Sequence, residues 1–161
     1  MSTPKDIVRE TLNNSDMITK LYLDGLSDAD LLVSPIEGMN PIAWQLGHLL
    51  ATERDWVEKI SPGSSPALPS GFAEAHTKET ASPHSFKPFG TKDDYLSLWS
   101  AQHAATLAML DSLPESRFAE ATGIDYAPTV ASMLNMIGIH GLMHVGQYVA
   151  VRRKLGKPIA M

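Results

Sequence analysis

The chain has 161 residues, 43% of them hydrophobic and 19% charged, which suits one domain with a buried core and excludes disordered and collagen-like classes. Net charge is −5 and the longest basic run is Arg152-Arg153-Lys154, so the basic face that phosphate contacts require is missing and nucleic acid is not an expected partner. There is no cysteine, which removes disulfides, thiolate metal sites and a cysteine nucleophile together.

No basic-then-apolar leader opens the sequence, and no stretch approaches the roughly 18 apolar residues of a membrane span. The cytoplasm is the expected location, and a membrane is not an expected partner. The first predicted helix runs from about Pro4 to Asp24, where Thr3-Pro4 places a cap before a proline in the first turn. On a helical wheel Ile7, Val8, Leu12, Ile18, Leu21 and Tyr22 share one side, and Arg9, Glu10, Asn13, Asp16 and Lys20 take the other. A second helix starts at Asn40-Pro41, again cap then proline, and reaches about Ile60.

Residues 61–90 hold five of the eleven prolines and three of the eleven glycines, and read as a long connection of the kind that lines or covers a site. A third helix begins at Thr91, whose capping box is completed by Asp94, and continues to about Ser112. The fourth runs from Pro128 or Thr129 to Leu155, where Gly156 and Pro158 form a stop. No segment reads as a strand. Residues 1–161 are therefore expected to form a single all-α domain, a four-helix bundle with a long connection between helices 2 and 3.

His140 and His144 lie four apart on the fourth helix, so their Cβ atoms are about 5–6 Å apart on one face and both rings can reach one ion. The same spacing serves two core histidines bonded to other side chains. Gly141 stands where a zincin-type H-E-x-x-H motif has its glutamate, so that protease class is not supported. Met133, Met136, Gln147 and Val151 fall near His140 on the wheel, and Gln147 is placed to orient a ligand or to bond something bound to the metal. His48 lies off the aliphatic arc of its helix, formed by Ile42, Leu46, Leu49, Leu50 and Val57. Its own side carries Trp44, Gln45, Thr52 and Asp55, which describes either a solvent-facing ring or a ligand at a cleft.

His103 shares an inward stripe with Tyr95, Trp99, Gln102, Thr106 and Leu110, as a core histidine or as a residue near a substrate. His76 and His84 fall in the proline-rich connection and read as exposed.

Two stretches carry a family resemblance. Asn40-Pro-Ile-Ala-Trp-Gln-Leu-Gly-His48-Leu-Leu resembles the second helix of DinB-like proteins, and His140-Gly-Leu-Met-His144-Val-Gly-Gln147 resembles their last. The resemblance extends over nearly the whole chain in helix number, order and long second connection. It implies that His48, His140 and His144 bind a divalent metal, which in that family is zinc, nickel or iron. Members often carry a further histidine directly before the second ligand of the last helix, where this chain has Met143. The family includes thiol-dependent transferases and isomerases, ligand-holding domains of sulfoxide synthases, and members with no known activity.

Three nitrogen ligands with open positions are the catalytic rather than the closed structural pattern. A chain without cysteine must take any thiol nucleophile from a small-molecule cosubstrate. The leading expectation is thus a metal-dependent transferase that activates a low-molecular-weight thiol, with His103 and Gln147 near the reacting groups. Metal-dependent hydrolysis, and a non-catalytic metal- or ligand-binding stress protein, are the alternatives. Metal binding is expected to weaken as pH falls through the histidine range near 6.5. A homodimer is expected as well, because Leu134, Gly138, Leu142, Val145 and Val149 form an apolar back to the fourth helix that needs a cover.

Overall fold

The computed structural model describes residues 3–81 and 86–160. Four long helices make up the fold: α1 (Pro4–Leu23), α2 (Ile42–Ile60), α3 (Lys92–Ser112) and α4 (Val130–Lys154), with short 3-10 turns in the connections. It is the expected all-α bundle, and among the described residues there is no strand, only one isolated bridge between Ala121 and Thr129.

The helix starts follow local chemistry. Thr3 accepts from the Asp6 backbone at 3.2 Å while the Asp6 carboxylate accepts from the Thr3 backbone at 2.8 Å, and Thr91 with Asp94 repeats the arrangement. Thr129 and Ser132 do the same for α4. At the far end, Gly156 takes a φ of 66°, a value that suits a residue without Cβ and halts the helix. Only α2 departs from expectation. Pro41 occupies its cap position, Asn40 caps nothing through its side chain, and the Asn40 carbonyl instead accepts from Gln45 Nε2 at 2.8 Å.

Two apolar clusters fill the ends of the bundle. One gathers Tyr22, Leu31, Leu46, Leu50, Phe72, Trp99 and Tyr148, and the other Leu12, Val57, Met109, Leu110, Met133 and Ile137. The segments of the helices that run between them carry polar groups: Ser15 and Asp16 of α1, Glu53 of α2, Gln102 and Thr106 of α3, His140 of α4. The bundle thus has a polar waist. There Thr106 Oγ1 donates to Glu53 Oε1 at 2.6 Å, and Gln102 Nε2 donates to Thr106 at 3.3 Å.

The buried face of α1 is rotated from the wheel reading. Val8, Leu12, Ser15, Thr19 and Tyr22 are buried, whereas Ile7 and Leu21 are exposed. The cause is close approach to α4, which small residues permit. A Cβ on Gly138 would lie 2.9 Å from the Thr11 carbonyl oxygen, and one on Gly141 would lie 2.3 Å from Ser15 Oγ. The supposed outer back of α4 is therefore an inner face. Of the residues expected there, Leu134, Gly138 and Val145 are buried within the chain, with Gly138 against α1, while Leu142 and Val149 are half-buried. Among the described residues, no helix is long and apolar enough to cross a membrane.

Candidate metal centre

His48 projects from the middle of α2 and stacks on Trp44 one turn earlier, with ring centroids 5.0 Å apart and planes 7° from parallel. His140 and His144 come from the facing stretch of α4. The His140 ring meets the His48 ring edge-on at 5.2 Å, and the His144 ring lies 5.6 Å from it. One nitrogen from each of the three rings lies within 4.8 Å of the others. All three rings are half-buried, at a seam between helices rather than in the centre of the core. That position explains why His48 sits on the flank of its apolar arc.

Hydrogen bonds fix two of the three tautomers. Gln45 donates its amide N–H to the Asn40 carbonyl, which can only accept, so its Oε1 is the atom that faces His144 Nδ1 at 2.9 Å. His144 Nδ1 must then carry the proton, and Nε2 keeps its lone pair. Likewise His48 Nδ1 lies 3.2 Å from the backbone oxygen of His76, so its proton is on Nδ1 and its Nε2 is free to bind. His144 Nε2 is 3.2 Å from His140 Nε2. Two ligands about 2.0–2.1 Å from one ion at a tetrahedral angle stand about 3.3 Å apart, so this pair is set at ligand spacing.

Electrostatics favour the neutral, metal-binding form. Burial, and then the neighbouring rings, push His140 down to about 4 and His144 down to about 3, and burial lowers His48 as well. Among the described residues, no carboxylate belongs to the cluster.

The site opens to one side. A pocket of about 380 Å³ is lined by His48, His140, Thr52, Trp56 and Met136, and reaches Lys78, Tyr126 and Met143 at the surface. Lys78 belongs to the 61–90 connection, which was expected to line a site. On the other side of His140 a cavity of about 10 Å³ separates it from Glu53 and Trp99.

The remaining histidines are distributed differently from expectation. His103 does not join the cluster. It flanks the buried stripe of α3, where its Nε2 lies 3.3 Å from Asn13 Oδ1 of α1, close to Asp16 and Lys20. Gln147 is half-buried one turn beyond His144 and is not part of the pocket lining. His84 lies outside the described residues.

His76 is buried, not exposed. Its Nδ1 pairs with the Phe72 carbonyl at 2.7 Å, and its ring packs among Phe72, Phe86, Phe89 and Tyr95. The connection folds back far enough for this ring to fill the space beside Gly47, where a Cβ would come within 2.2 Å of it. Gln45, His76 and Glu53 are the partners that sequence reasoning missed. Gly47 was the available signal, since a glycine inside a helix costs about 1 kcal/mol and marks a close approach.

The family model of the DinB superfamily matches residues 12–148, and the chain belongs to that superfamily. The match spans all three histidines, the whole of α2 and most of α4. No curated protein gives a significant match to the chain.

Proposed function

We propose that His48, His140 and His144 hold one divalent transition metal, and that the protein is a transferase using it to activate a small-molecule thiol. One observation carries the metal reading: the Gln45 amide and the His76 carbonyl keep Nδ1–H on two of the rings, leaving Nε2 lone pairs for an ion. Imidazole nitrogen suits zinc, nickel and iron alike. When bound, such an ion supplies Lewis acidity that favours the anionic form of a thiol near neutral pH.

The chain's own residues supply the rest. Three neutral rings add no negative charge, so the positive charge of the site is left for an incoming anion. Trp56 and Met136 line the pocket with apolar surface and limit water beside the histidines. In the transfer the sulfur forms a bond to an electrophilic carbon, the leaving group departs with the bonding electrons, and the thiol proton passes to solvent. A role in metal storage or sensing would need no open pocket, and the 380 Å³ opening beside His48 and His140 supports catalysis over that alternative.

Elemental analysis of the native protein, followed by conjugation assays with several low-molecular-weight thiols and an alkyl electrophile, tests both halves. One metal per chain and metal-dependent thiol consumption are expected. Stoichiometric metal with no thiol turnover would retain the site and discard the transferase.

The pH dependence is expected to be shifted relative to free histidine. Rings whose folded values lie near 4 and 3 stay neutral where the unfolded chain, near 6.5, is already protonated. They contribute stability that is fully present above pH 6.5 and is lost as pH falls through the folded values. Metal should accordingly remain bound to the folded protein at pH 5.5, below the window read from sequence. Equilibrium dialysis showing half-release already at pH 6.5 would contradict this.

A further inference from the structure

The pocket beside the histidines has a sign and a texture that point to a class of ligand. Among the described residues Lys78 is the only charged side chain lining it, and no acidic residue does so. Among the described residues the Lys78 side chain makes no hydrogen bond or ion pair, and it is exposed at the surface end of the pocket. Its ammonium group belongs to a pocket whose described lining supplies no counter-charge.

The wall between is apolar and unusually exposed. Tyr126 is 65% exposed and Met143 is 63% exposed, although both are large hydrophobic side chains. Tyr126 sits against Trp56 with ring centroids 6.4 Å apart at 49°, and Trp56 in turn faces His140 at 6.0 Å. Exposed apolar side chains gathered at a pocket mouth mark a place where a ligand body completes the packing.

Resting on the reading of this pocket as a small-molecule site, we infer that its substrate is an organic carboxylate with an apolar or aromatic body. Lys78 binds the carboxylate, and Tyr126, Trp56 and Met143 receive the body. A single ammonium group matches one carboxylate; phosphate groups are typically held by several donors at once. A small inorganic anion would leave the aromatic wall unused, and a pocket of about 380 Å³ holds a molecule of drug-fragment size.

The test uses 3-phenylpropionate as probe, with 3-phenylpropionamide lacking the charge and propionate lacking the ring. Ligand-observed NMR titrations are run on zinc-loaded and on metal-free protein. The carboxylate with the ring is expected to bind about tenfold more tightly than either comparison compound, the scale of one charge-assisted hydrogen bond. Lys78→Gln should abolish the preference over the amide, and Tyr126→Ala should reduce the preference over propionate. Both positions are exposed, so neither variant should alter the melting temperature. Equal binding of acid and amide in both protein forms, or a preference unchanged in Lys78→Gln, overturns the inference. Metal content is read separately by elemental analysis. Lys78-dependent selectivity in a protein that holds no metal would sustain this subsite while removing the metal reading.

Discussion

Replacing Glu53 by glutamine is expected to stabilise the protein at pH 8 by about 1–3 kcal/mol and to change little at pH 5. Glu53 is fully buried in the waist, and burial lifts its carboxyl from 4.5 to about 7, with the nearby charge of Asp16 adding to the lift and the Thr106 hydroxyl opposing it. Ionising it inside the fold thus costs about 3 kcal/mol more than in the unfolded chain. The sign follows from a raised folded value. Its contribution is fully favourable below 4.5, declines as pH rises through 7, and is then level. Glutamine keeps an oxygen for the Thr106 hydroxyl and removes the charge. Urea denaturation of both proteins at the two pH values gives the answer. A Glu53→Gln variant that is less stable than wild type at pH 8 would show that the native chain compensates the buried carboxylate.

The second large effect concerns the histidines. His144→Ala is expected to abolish stoichiometric metal at micromolar protein, because His144 contributes one of the two nitrogens already set at ligand spacing. Gln45→Ala, which only frees the Nδ1 side of the same ring, should weaken metal affinity by about 10–100-fold. His103→Ala should leave metal content unchanged, since that ring belongs to the α1–α3 seam. Metal analysis of the three purified variants orders them. Full occupancy in His144→Ala would remove the proposed site, and loss in His103→Ala would redraw it.

Sequence and structure agree where the chemistry is local. Thr3 with Asp6 and Thr91 with Asp94 are capping boxes whose partners lie three residues apart, so the helix starts could be read directly. The pair His140 and His144 was legible for the same reason. His48 was not, because helical periodicity records burial and this ring sits at a seam. It was the resemblance of the surrounding stretch to DinB-like proteins that placed it. His76 was beyond reach, as its burial depends on Phe72, Phe86, Phe89 and Tyr95 meeting across a fold-back. The misread faces of α1 and α4 share one cause. Ser15, Thr19, Gly138 and Gly141 score as weakly apolar or polar, yet their smallness lets the two helices touch.

The polar waist also acts as an alignment key. If α2 slid by one turn along α3, Glu53 would leave the Thr106 hydroxyl and its carboxyl would move toward the apolar surface of either end cluster. Purely apolar layers look much alike after such a slip, and the energy difference between neighbouring positions is small. Here a single axial setting keeps the carboxyl bonded, and it fixes α2, the helix that carries His48, against α3. The group that weakens the fold at high pH is thus the one that fixes the height of the helix carrying His48.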